Sequence, residues 1–155
     1  MDGSYEWLRD GGEGGRNLDS RTMFFYQATV NTPAMVQKMI GVGSQYAYAS
    51  TDVNGDYLDG AKTYSLHIPA NPPVKDFWSV VIGDPQTRSE LETGQTFPSK
   101  NNKRDKLAEN SDGSVDLYFG PKAPEGKEAN WVQTVAGKGW MVSDSSALWP
   151  ARTLV

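Results

Sequence analysis

The amino-acid sequence predicts a mainly β domain with one or two short helices on its N-terminal side, and three observations lead there. Sixteen glycines and nine prolines spread over 155 residues place chain-turning positions throughout, which favours many short strands. Hydrophobic spacing drops from a helical period to a period of two after Gln45. Aromatic residues reach 11%, with five Trp and seven Tyr. That is enough to fill a packed interior and too many for a disordered chain.

The elements follow in order. Residues 1–17 are Gly-rich and acidic and read as a flexible lead, without the apolar core of a signal peptide. Asp19 or Ser20 can cap a helix carrying Met23, Phe24 and Tyr26. Thr32-Pro33 opens a second one, with Met35, Val36, Met39 and Ile40 at helical spacing and Gly41 as its stop. From Gln45, Tyr46 and Tyr48 alternate with Ala47 and Ala49, and Asn54-Gly55 supplies a hairpin turn. Lys62–Ile68 alternates as a strand, with Tyr64, Leu66 and Ile68 on the core side and His67 opposite. Phe77–Ile82 is nearly all apolar and reads as a central strand buried on both faces. Residues 84–110 form a long polar segment, and 99–110 is expected to be the most mobile internal stretch. Leu107 is its one strong apolar residue. Ser114–Phe119, Asn130–Val135 and Gly139–Val142 are the remaining strands.

Charge and composition exclude several functions. The net charge is −4, and the densest positive stretch, Lys100 to Lys106, is broken by Asn101, Asn102 and Asp105. Nucleic acid is therefore not an expected partner. No apolar run is long enough for a membrane-spanning helix. The expected location is cytoplasmic. The absence of cysteine removes disulfides, thiolate metal sites and thiol nucleophiles.

Several motifs together resemble one family. They are Asp19-Ser20-Arg21-Thr22-Met23-Phe24-Phe25-Tyr26, Thr32-Pro33-Ala34-Met35, Gly43-Ser44-Gln45-Tyr46 and Tyr57-Leu58-Asp59-Gly60. The series continues with Tyr64-Ser65-Leu66-His67-Ile68-Pro69, Phe77-Trp78-Ser79-Val80, Asp112-Gly113-Ser114-Val115-Asp116, Gly120-Pro121, Asn130-Trp131 and Gly137-Lys138-Gly139-Trp140. From Leu18 to Trp140 the chain resembles the bacterial domain of unknown function 1214. That domain is the C-terminal part of a two-domain family whose N-terminal part is domain of unknown function 1254. The resemblance implies an antiparallel, jelly-roll-like β-sandwich, over residues 18–142 here. It also implies a companion domain as partner and relatives that are exported or periplasmic. It implies no reaction.

Candidate chemistry is sparse. His67 is the only histidine, and Ser65, Ser79, Ser89 and Asp84 are its conceivable partners in a Ser-His-Asp device. No Gly-x-Ser-x-Gly elbow accompanies them. One histidine and no cysteine leave no structural zinc site. Asp52-Val53-Asn54-Gly55-Asp56 has the look of a calcium loop, but its twelfth position is Thr63. A hairpin turn accounts for the same residues, and neither metal nor cofactor is expected. Arg88, after the central strand, could fix an anion or pair with Glu90 or Asp84. Tyr46, Tyr48, Tyr57, Trp78, Tyr118, Trp131 and Trp140 could line a binding face or fill the core. The expected role is a non-catalytic binding or interdomain-docking module, whose partner is a companion domain or a second copy. The alternative is a hydrolase-like enzyme acting on a small molecule or carbohydrate with His67 near the site.

The tail, residues 143–155, departs from the family. There the Gly-Trp motif leads into a strand and then a run such as Leu-Tyr-Gly-Pro-Leu-Glu-Pro-Trp. Ala147–Leu154 can be written GCT CTA TGG CCC GCT CGA ACC TTG, followed by G. Read one nucleotide on, this gives that same run, and its Gly is forced by Trp149-Pro150. A frameshifted, truncated product is therefore expected, with Ser143-Asp144-Ser145-Ser146 as a poor substitute for a strand. Losing about three buried apolar side chains would cost roughly 5–9 kcal/mol, comparable with the ~5–15 kcal/mol of a whole domain.

Overall fold

Alternation decides the strands. In β2, Tyr64–Ile68, every second residue is buried and His67 is exposed, as the period of two requires of a strand with one face on a core. β5, Val115–Gly120, repeats the pattern, burying Val115, Leu117 and Phe119 and leaving Asp116 and Tyr118 half-buried. The computed structural model describes residues 47–144, apart from Pro73, Lys75 and Arg88, together with Thr22. The chain divides into two compact units, Met1–Gly43 and Ser44–Val155, and everything below concerns the second. Both helices expected before Gly41, and the lead and residues 145–155, lie outside the described residues.

The described fold is mainly β and has two sheets. One is four-stranded and antiparallel, in the order β1 (Ala47–Ala49), β7 (Met141–Asp144), β3 (Ser79–Gly83) and β4 (Ser99–Asn101). The other has the order β2, β5 and β6 (Trp131–Gln133). Here the expectation of purely antiparallel pairing is corrected, because β5 and β6 run parallel, with Tyr118 opposite Trp131. Residues 121–130, closing on a 3-10 turn over Glu128–Asn130, carry the chain back so that it enters β6 in the direction of β5.

Inner faces of both sheets feed one core cluster. Tyr64, Leu66, Ile68, Val115, Leu117, Phe119 and Val132 come from one sheet, and Val80, Ile82 and Val142 from the other. Leu58, Trp78, Leu91 and Trp140 complete it from the connections. Close approach at Gly60 binds two of these connections together. Its N–H donates to Lys138 O (2.9 Å), its carbonyl accepts from Thr134 Oγ1 (2.8 Å), and a Cβ there would lie 2.1 Å from Val135 O.

Two local expectations change. β3 is central in its sheet, but Val81 and Phe77 are not buried, so it is covered on one face rather than two. Ser143 and Asp144 continue β7, pairing with β1 on one side and β3 on the other. Two neighbouring ladders outweigh their weak strand preference. Residues 99–110 hold a strand and a core contact that the sequence does not announce. Ser99–Asn101 is a strand, and Leu107 packs on the core.

Sheet edges are treated unequally. On the outer edge of β4, Arg104 Nη2 donates to Ser99 O (2.9 Å) and Asn101 N–H donates to Asp105 Oδ2 (2.7 Å). On β6, Gln133 N–H donates to Gln95 Oε1 (2.8 Å) while Gln95 Nε2 donates to Trp131 O (3.4 Å). Each plug occupies the main-chain groups a further strand would use.

Candidate functional site

His67 and Asp116 face each other across the β2–β5 ladder on its solvent side. His67 Nδ1 lies 2.6 Å from Asp116 Oδ1. The hydrogen bonds from His67 and then Asn110 hold the Asp116 carboxyl below its ordinary range, burial opposing them. An ionised carboxylate only accepts, so Nδ1 is the donor of this hydrogen bond. Asn110 Nδ2 donates to Asp116 Oδ2 (2.9 Å) and to Ser114 Oγ (2.9 Å), and Ser114 Oγ donates to Asp112 Oδ1 (2.6 Å). The Ser114 hydroxyl and then the Ser114 N–H hold Asp112 below its ordinary range as well, burial opposing them. The result is a hydrogen-bonded chain from the edge strand into the loop that precedes β5.

Neighbours on this face are polar or amphipathic. Ser65, Tyr118 and Trp131 form one cross-sheet row. Lys127 Nζ lies 5.5 Å from the Tyr118 ring centroid, and Trp131 Nε1 donates to Gly120 O (2.9 Å). Chemically the arrangement offers one oriented imidazole, and among the described residues no hydroxyl is hydrogen-bonded to it. His67 meets Asp116 in place of the partners expected from sequence. Ser65 stands opposite Tyr118, Ser79 lies in β3 of the other sheet, and Ser89 Oγ bonds Thr87 Oγ1 (2.8 Å).

Asp84 belongs elsewhere. Its Oδ1 accepts the N–H of Gln86 (2.8 Å) and Thr87 (3.2 Å), and Lys138 Nζ approaches Oδ2 at 3.4 Å. These contacts, the backbone donors first, hold its carboxyl low and close the turn after β3. Arg88, on that turn, lies outside the described residues, as does Tyr46. Trp78 is buried in the core, its N–H donating to Asn102 Oδ1 (3.0 Å), so it cannot line an open face. Tyr48 and Trp131 belong to different sheets. At the supposed calcium loop, Asp52 Oδ1 accepts the N–H of Asn54 and Asp56, and Gly55 takes a φ of 88°. Among the described residues no group of three His, Asp or Glu side chains is placed to hold a metal, and no helix is long and apolar enough to cross a membrane.

Asp116 and Asn110 are the site residues that sequence reasoning missed. The alternation of both strands does put His67 and Asp116 on solvent faces. Their pairing depends on a register between residues far apart in the chain.

A two-sheet β domain with a solvent-side His–Asp pair is the class these features define. The chain belongs to the family described as protein of unknown function (DUF1214), whose model matches residues 43–144. The match begins later than the motif resemblance at Leu18 and runs past Trp140 through β7. No curated protein matches the chain. Among solved structures it is similar to the VPA0106 protein from Vibrio parahaemolyticus, at 18% identity and a TM-score of 0.60, over 88% of this chain and 32% of that one. An uncharacterized protein from Burkholderia cenocepacia follows at 16% identity and a TM-score of 0.46, over 95% of this chain and 42% of the other. The chain thus spans about a third of the Vibrio protein's length.

The His67–Asp116 pair makes a pH prediction. A carboxyl whose folded pKa is depressed adds stability above its unfolded pKa of about 3.9, and loses it as pH falls through the folded value. Both side chains are substantially exposed, at 53% and 32%, so the contribution is at most about 1 kcal/mol. Urea midpoints of the wild type should fall more steeply below about pH 4 than those of Asp116→Asn. Equal slopes would show that the pair adds nothing.

Proposed function

We propose that this domain is a non-catalytic docking module, and that its four-stranded sheet receives the 1254-type companion domain within a longer polypeptide. One observation carries the reading. All five exposed large apolar residues among those described lie in β1, the connection after it, or just before β3 and β4. They are Tyr48, Val53, Tyr57, Phe77 and Phe97. Tyr48 shares its outward row with Ser143 and Val81, and Met141 lies over Gly83 on that same face. The outer face of the three-stranded sheet presents Ser65, His67, Asp116 and Gln133 beside the half-buried rings of Tyr118 and Trp131. The gathering of the exposed large apolar side chains about the other sheet suits a domain covered on that side. A likeness spanning a third of a longer chain supports the same arrangement.

A hydrolase-like role would rest on His67, and among the described residues no hydroxyl is hydrogen-bonded to its ring. The docking reading is tested by mixing this chain with a separately produced 1254 domain from a two-domain relative and measuring association by calorimetry. Complex formation is expected. Tyr48→Ser with Phe97→Ser should weaken it about tenfold or more, as loss of aromatic anchors does. No association, or association indifferent to both substitutions, would reject the reading.

A further inference from the structure

We propose that β2 is an edge through which two copies of this chain join. Antiparallel pairing of β2 with the β2 of a second molecule would extend the three-stranded sheet into one continuous sheet. The starting point is the unequal treatment of edges. β4 is plugged by Arg104 and Asp105, and β6 by both ends of the Gln95 amide. Among the described residues β2 pairs with no strand but β5, and no side chain is recorded on its outer main-chain groups. At five residues it is longer than either plugged edge, each of three. It holds none of the usual deterrents to strand addition. Tyr64-Ser65-Leu66-His67-Ile68 contains no proline, no glycine and no lysine, and its residues pair with β5 one for one without a bulge.

The second copy is chosen over other occupants by geometry and charge. A two-fold axis perpendicular to the sheet keeps the same face inward for both molecules. Tyr64, Leu66 and Ile68 of each would stay on the core side, and Ser65 and His67 of each on the solvent side. An edge of another sequence would have to match this alternation, whereas β2 matches itself. Charge does not oppose the contact. His67 is the only ionisable side chain on β2 besides Tyr64, whose buried hydroxyl accepts the Asp59 N–H. Any positive charge on His67 is met within its own molecule by Asp116. Asp112 lies close enough to interact with His67, and Lys127 with Asp116, so the groups facing this stretch alternate in sign. Two such surfaces approach without a like-charge clash.

Sedimentation velocity of the full chain at rising concentration should show a monomer–dimer equilibrium. Ser65→Lys puts one cation per copy on the edge and should abolish the dimer while the far-ultraviolet spectrum stays unchanged. The chain has no cysteine, so Ser65→Cys carries a single thiol. A short bis-maleimide should link it into covalent dimers, and should not link Gln86→Cys, which sits on the turn after β3. Tyr48→Ser, on the proposed docking face, should leave the dimer intact, which separates this proposal from that one. A chain that stays monomeric at every concentration overturns the inference. So does a dimer that survives Ser65→Lys without the Ser65→Cys cross-link, or one abolished by Tyr48→Ser. Should Ser65→Lys fail to fold, the cross-link decides.

Discussion

Trp140→Ala is expected to lower stability by about 3–5 kcal/mol, the range for truncating a large buried aromatic side chain, while Trp140→Phe should cost far less. Trp140 is 1% exposed. Its rings stack on Phe119 at 5.2 Å and meet the edge of Tyr64 at 5.6 Å, so one side chain from the turn before β7 joins β2 to β5. The main chain adds a bond from Trp140 N–H to Leu58 O (3.3 Å). Removing the indole leaves a cavity between the sheets and breaks both ring contacts. Phenylalanine keeps much of the volume and discards a liability. Trp140 Nε1 is buried without a hydrogen-bond partner among the described residues, and such a donor costs about 1–3 kcal/mol. The smaller ring's packing loss is therefore partly offset. Urea unfolding followed by circular dichroism would give both values. If Trp140→Phe proved as damaging as Trp140→Ala, the indole N–H would have to be bonded, to an internal water for example.

Much of this core was legible because alternation is local. Tyr64, Leu66 and Ile68, then Val115, Leu117 and Phe119, declare their buried side from spacing alone, and all are buried. β4 was invisible for the opposite reason. Ser99-Lys100-Asn101 has no apolar alternation, and its strand exists because β3 presents a ladder to it. The parallel β5–β6 pair was equally hidden, since direction is set by how a connection returns rather than by composition. At the site, the solvent side of His67 could be read and its partner could not. Asp116 is reached through a register that only the folded sheet defines. Residues 99–110 hold more hydrogen bonding than their composition announces, for a related reason. Their Asn and Asp side chains suggest solvated mobility, yet Asn101 and Asp105 spend them on the main chain. Asn101 Oδ1 accepts the N–H of Lys103 and Arg104, and Asp105 Oδ2 that of Asn101.

Asn130 holds the end of that segment, and its substitutions should be nearly as damaging as those of Trp140. The side chain is 4% exposed and makes three hydrogen bonds. Ala108 N–H donates to its Oδ1 (2.8 Å), and its Nδ2 donates to Ala108 O (2.8 Å) and Asp116 O (2.9 Å). It thus ties the loop after β4 to β5, behind the His67 partner. Asn130→Ala strands all three main-chain groups. Ala108 is exposed enough for water to replace part of what is lost, so the expected cost is about 2–4 kcal/mol rather than the full sum of three buried groups. Asn130→Asp keeps the shape and reverses the chemistry, aiming a carboxylate oxygen at two carbonyls where an amide donated. The charged form is disfavoured there, so the new carboxyl's folded pKa should rise above its unfolded value of about 3.9. The penalty is then complete above the raised pKa and fades as pH falls toward the unfolded one. Wild type and Asn130→Ala should show no such recovery between about pH 7 and pH 4. Hydrogen exchange at the Ala108 amide gives the local readout, slow in the wild type and faster in both variants. Unchanged exchange at Ala108 in Asn130→Ala, or Asn130→Asp as stable as wild type at neutral pH, would show that this side chain does not hold the loop.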